Sequence, residues 1–327
     1  MSFNPEQLQE HCEIILKSRE IKNKIVVLCE GKIPDIKGIK SVQSYKKREQ
    51  MADANFYKAC VPRWWKQTKQ YIPEFFNCGD RKDVLDTYST LPILHEKDTT
   101  NSYLDPDRLF AMIDLDLHLQ TIDNYIFPDT EAIFRDLYEK SEVKEQNAAQ
   151  HRIWITGLIH KEAYFMTPEL QPIFDNCCNE PIYKGNPAVL ASIYLDMADA
   201  ICSDLDLKIN RNNRQRAFER ISYCSGLDCT ELDLDKFQDS WKHQFKITQD
   251  VTRKHELIIA LLTIKKAKEY WQEIKPPADW SGNEKEFREQ LSLKIAEFYS
   301  QQNSDVKCHI PFFIKTLYEC LNKTPQL

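Results

Sequence analysis

Four apolar runs constrain the first half of this chain most: "KIVVLCE", "EFFNCG", "RLFAMIDLDLH" and "HRIWITG", with helix-like segments among them. Strands buried on both faces by helical crossovers read as nearly unbroken apolar stretches, not as alternating ones. The pattern therefore predicts an α/β fold with a mostly parallel sheet flanked by helices. Functional groups in such sheets gather outside the C-terminal ends of the strands. "TEAIFRDLYEK" reads as a helix capped at Thr130.

After "NEPIYKGNP" the strand signals stop, and amphipathic segments such as "HELIIALLTIKKAKEYWQEI" and "KEFREQLSLKIAEFYSQQ" take over. With 327 residues the chain has room for two modest units. The expected division is an α/β domain over 1–180 and a helical region over 181–327 for partner docking or self-association. "IKPPADWSGNEK" breaks the helices of that region.

None of the seven glycines forms a GxGxxG fingerprint or a Walker A loop, so any ATP-driven step needs a partner. The N-terminal segment lacks the pattern of a signal peptide, and "LIIALLTI" is far short of a membrane span. Eleven scattered cysteines fit reduced thiols better than a disulfide framework, so a cytoplasmic protein with no membrane association is expected. "CSGLDC", Cys177/Cys178 and Cys308/His309 do not form paired zinc knuckles.

Acids sit at two of the expected strand ends. Glu30 closes "KIVVLCE", and Asp114 and Asp116 close "AMIDLD". A strand's period of two sends both aspartates to one side, with Leu115 opposite and α-carbons about 7 Å apart. His118 would share that side if the strand continues. Gathered carboxylates raise one another's pKa unless a cation lies between them. Mg2+ (or Mn2+) suits such hard oxygen ligands, and its bound water suits phosphodiester hydrolysis. Glu30, Asp114 and Asp116 are thus the expected metal ligands, and Lys32 the expected phosphate contact. A strand-end glutamate that is merely solvated is the bland alternative.

An apolar strand ending in Glu-Gly, followed by one ending in Asp-x-Asp, resembles the TOPRIM domain, and within it the OLD (overcoming lysogenization defect)-like and stand-alone TOPRIM nucleases of antiphage defence. "NCGDRKDVLDTY" is similar to their glycine-led segment, and the resemblance spans roughly residues 24 to 170. It implies a Mg2+-dependent endonuclease acting on DNA or RNA, working beside an ABC-type ATPase, with Glu162 as a further catalytic acid in a Glu-x-Tyr-like context. Asp35 stands five residues after Glu30 with Pro34 between, whereas family members often place an Asp four after the Glu. That departure motivates a second reading, a TOPRIM-like scaffold that binds nucleic acid or a partner without chemistry. "EGK" also reads as the ExK of a PD-(D/E)xK nuclease, but no Asp precedes Glu30.

The net charge is −6, yet nine basic residues and two acids fall between Lys37 and Lys69. Lys46, Lys47, Arg48, Arg63, Lys66 and Lys69 are candidates to track a phosphate backbone, with Trp64 and Trp65 to stack on unpaired bases. The alternative is a helical insertion whose tryptophans dock on the sheet. His160 and Lys161 are candidate acids or phosphate contacts beside Glu162, or plain polar turn positions.

Overall fold

The computed structural model describes residues 2–33, 53–67, 71–176 and 179–322. Four strands form one parallel sheet: β1 (Val26–Cys29), β2 (Glu74–Asn77), β3 (Leu109–Ile113) and β6 (Ile153–Ile155). Two short strands, β4 (Tyr138–Glu139) and β5 (Glu142–Val143), make a separate antiparallel hairpin. Every residue of the four sheet strands is buried, which is why their sequences show no alternation.

The order across the sheet is β2-β1-β3-β6. From β1 the chain steps to one side to form β2, then crosses back to the other side of β1 to form β3. This reversal leaves a crevice between the C-terminal ends of β1 and β3. Their register, Val26 opposite Leu109 through Cys29 opposite Met112, carries Glu30 and Asp114 to neighbouring positions at that crevice.

The helix Arg81–Lys97 begins in a capping box, in which Asp80 accepts from the Asp83 backbone and Asp83 from that of Asp80. The helix Thr130–Leu137 is capped by Asp129, whose carboxylate accepts from Ala132 N at 2.8 Å; Thr130 is its first helical residue, not its cap. Downstream, the main helices are Leu190–Asp199, Arg211–Ile221, Leu234–Ile247, Val251–Ile264, Glu284–Gln301 and His309–Asn322. The hydrophobic core runs without interruption from the sheet into these helices. Trp154 of β6 packs on Phe313 with ring centroids 5.0 Å apart, and Phe56 meets Phe165 at 4.9 Å and Tyr299 at 6.3 Å. No helix among the described residues is long and apolar enough to cross a membrane.

Gly31 and Gly79 pair through two backbone hydrogen bonds of 2.8 Å, joining the turn after β1 to the turn after β2. Gly79 has φ +86°, and a Cβ there would sit 2.3 Å from Asp83 Oδ2, the oxygen that accepts from Asp80 N. Gly79→Ala therefore forces a side chain into a left-handed position and opens the capping box. The expected loss is about 1–3 kcal/mol, read by urea denaturation. A variant as stable as the wild type would show that the turn relaxes freely.

Candidate active site

Glu30 and Asp114 meet directly. Glu30 Oε1 accepts the Asp114 backbone N–H at 2.8 Å, and Asp114 Oδ1 accepts that of Lys161 at 3.0 Å. One oxygen of each carboxylate thus fixes backbone around the crevice, and the second oxygen of each is the candidate ligand. Burial pushes the Glu30 carboxyl up to about 7, against the Asp114 N–H and the Arg81 charge that hold it down. Asp114 is pushed well above the usual carboxylate range, first by burial and then by Glu30 and Glu162. Two buried carboxyls pushed toward their protonated forms at one strand edge mark a candidate functional site.

Asp116 is held differently. β3 ends at Ile113, so the period of two no longer governs the residues after it. Asp116 takes φ +45°, a left-handed conformation costing about 1–3 kcal/mol for a residue with a side chain. Its Oδ1 accepts from Leu117 N at 2.5 Å and lies 3.8 Å from Lys266 Nζ. Burial pushes its carboxyl up, but Lys266, the Leu117 N–H, Arg81 and His118 outweigh it, and the net shift is downward. Lys266 is in turn gripped by Asp206 Oδ2 at 2.6 Å, and Asp206 Oδ1 lies 3.1 Å from His118 Nε2. His118 thus points at Asp206 from a turn, not along a continued strand.

Glu162 lies in a 3-10 helix, Lys161–Met166, close enough to raise the Asp114 carboxyl. Burial pushes Glu162 up, but His160 at 3.0 Å, Lys161 and Lys268 hold it well below the usual carboxylate range. His160 Nε2 accepts the Ala267 N–H at 3.0 Å, so in the neutral ring the proton sits on Nδ1, which lies 3.0 Å from Glu162 Oε2 without the alignment of a hydrogen bond. His160 is buried, with Nε2 taken by the Ala267 N–H, and its ring sits beside Glu162 as a charge neighbour. The Lys161 ammonium lies 5.8 Å from the Phe165 ring centroid, and burial lowers its pKa. Lys32 is exposed.

The donor chemistry suits a hard divalent cation, and Glu30 with Asp114 are the residues that fit it best. Among the described residues, however, no three His, Cys, Asp or Glu side chains converge as a ligand set. Asp116 has Lys266 as its positive partner. A cleft of about 900 Å³ opens beside the cluster, and Asp206, Lys266 and Lys268 form part of its wall.

The expected nucleic-acid track fares unevenly. Lys46, Lys47, Arg48 and Lys69, the side chain of Lys66, and Pro34 with Asp35 lie outside the described residues. Arg63 is exposed and pairs with Glu297 at 2.7 Å. Trp64 is 48% exposed, whereas Trp65 is fully buried against Tyr318, with ring centroids 5.1 Å apart. Trp65 is thus a core residue in this fold and offers no face to a base. Sequence reasoning missed Arg81, Arg216, Arg220 and Lys266, all of which contact the Asp116 turn. Only Arg81 carried a local signal, the helix start after Gly79.

The raised Glu30 carboxyl implies a pH dependence. Without a cation, folded Glu30 binds its proton more tightly than the unfolded chain does. The resulting penalty is absent below about 4.5, grows as pH rises, and levels off above about 7. In EDTA, the Tm of Glu30→Gln should match the wild type at low pH and exceed it increasingly across that window. A difference that does not vary with pH would sink the assignment.

No protein-family model, curated protein or solved structure matches the chain. The fold and site together define an α/β protein with a carboxylate pair at a topological switch point.

Proposed function

We propose that this protein is a TOPRIM-type, metal-dependent nuclease that hydrolyses phosphodiesters of DNA or RNA. The observation that carries the reading is the meeting of Glu30 and Asp114 where the strand order reverses, with both carboxyls pushed toward protonation. Mg2+ or Mn2+ bound there would supply an acidified water and neutralise charge on the phosphate. Glu30 and Asp114 would hold the ion, with Asp116 and Glu162 flanking it. Lys32 from the exposed rim and Lys266 beside Asp116 are the proposed phosphate contacts. Work as a defence effector beside an ABC-type ATPase belongs to the same proposal and rests on the TOPRIM resemblance, with which a sequence lacking a Walker motif is consistent.

One observation favours the scaffold reading. Lys266 already supplies Asp116 with positive charge, and no third acid converges on Glu30 and Asp114 among the described residues. The test is incubation of plasmid DNA, single-stranded DNA and RNA with the protein in Mg2+, Mn2+ or EDTA, with and without the partner ATPase. Metal-dependent cleavage lost in Glu30→Gln is expected. Cleavage that persists in EDTA overturns the metal reading, and no cleavage under any condition leaves the scaffold.

A further inference from the structure

Three guanidinium groups converge on three consecutive carbonyls of the turn after β3. Arg81 Nη1 donates to Leu115 O at 3.3 Å, Arg220 Nη1 to Asp116 O at 2.8 Å, and Arg216 Nη2 to Leu117 O at 3.0 Å. Arg216 and Arg220 come from one helix, Arg211–Ile221, about a hundred residues downstream. Arg220 is itself fixed: its Nη2 donates to Glu131 Oε2 at 2.6 Å, with both side chains buried. Arg216 is braced by Asn213 Oδ1 at 2.5 Å.

The middle residue of this turn is the strained one. Aspartate enters the left-handed region more readily than most residues, and bonds from its surroundings fix it there. At Asp116 those bonds are identifiable: the Arg220 contact to its carbonyl, the 2.9 Å bond from its N–H to Ile159 O, and the two flanking arginines. Charged donors make stronger bonds to carbonyls than neutral ones do.

We propose that Arg216 and Arg220 are positioning residues, which hold the Asp116 turn and thereby tune the cation affinity of the carboxylate cluster. The helix Arg211–Ile221 is then the element through which the C-terminal region acts on the crevice. The tuning of affinity rests on the metal reading above; the holding of the turn does not.

Arg216 is the residue to vary, because truncating Arg220 would leave buried Glu131 only the 3.5 Å contact to Arg135. Two readouts on the full chain separate the proposals: Mn2+ affinity by electron paramagnetic resonance, and amide hydrogen exchange over residues 115–118. Arg216→Ala is expected to weaken Mn2+ binding about 10-fold and speed exchange at Asp116 and Leu117, with Tm nearly unchanged. Arg216→Lys, which keeps a cationic donor, should recover part of both effects. For Arg220, the paired replacement Arg220→Met with Glu131→Gln avoids the poorly paired charge and should speed the same exchange. Exchange unchanged in both variants overturns the proposal. Faster exchange with unchanged Mn2+ affinity overturns the tuning. If the wild type binds no Mn2+, the metal reading fails, and exchange alone decides whether the arginines hold the turn.

Discussion

Asp114→Asn is expected to lower the proposed metal-dependent cleavage by more than about 100-fold while leaving the protein at least as stable as the wild type. The amide keeps an oxygen to accept the Lys161 N–H at 3.0 Å, so the backbone bond survives. It loses the charge that a divalent cation requires, and loss of a ligand exceeds the 10- to 100-fold typical of a supporting residue. Burial and neighbouring acids already push this carboxyl well above its usual range, so a neutral isostere removes a penalty in the cation-free protein. Activity lost with Tm held or raised marks a site kept for function at the expense of stability. Full activity in the variant would remove Asp114 from the reaction. A large fall in Tm would make it a structural residue.

Trp65→Ala is expected to destabilise the fold by about 3–5 kcal/mol, and Trp64→Ala by less than about 1 kcal/mol. The two indoles are adjacent in sequence and differ only in what covers them. Trp65 is fully buried and meets Tyr318 of the last helix, while Trp64 leaves about half of its surface in solvent. Stacking on an unpaired base requires an open ring face, which Trp64 alone retains. Weaker binding of single-stranded nucleic acid by Trp64→Ala, at unchanged stability, would support a stacking role. Urea denaturation of both variants checks the order. The reverse order would contradict the packing described here.

The sheet was legible because burial on both faces favours apolar residues at nearly every strand position. "VVLC", "EFFN", "LFAMI" and "IWI" form parallel strands, and the Glu30 and Asp114 ends follow from their register. Misreadings arose where local rules compete. Asp129 and Thr130 are both good caps, and the hydrogen bond to Ala132 N goes to Asp129. "DLDL" alternates like a strand, but alternation governs side-chain direction only while a ladder continues. Here the ladder stops at Ile113, opposite Ile155, and arginines take the next carbonyls.

What the sequence determined by itself is the α/β class of the first half, the helical character of the second, and the acids that close the strands. These follow from short-range pattern: residue type, period, and the burial that an apolar run demands. Tertiary structure alone decided which charges accompany those acids. Lys266 beside Asp116, Arg216 and Arg220 on the turn, and His160 against Glu162 come together because one continuous core folds the C-terminal helices onto the sheet. The strength of a carboxylate depends on the dielectric and charge within a few ångströms of it, and that neighbourhood exists only once residues a hundred positions apart have been packed into contact.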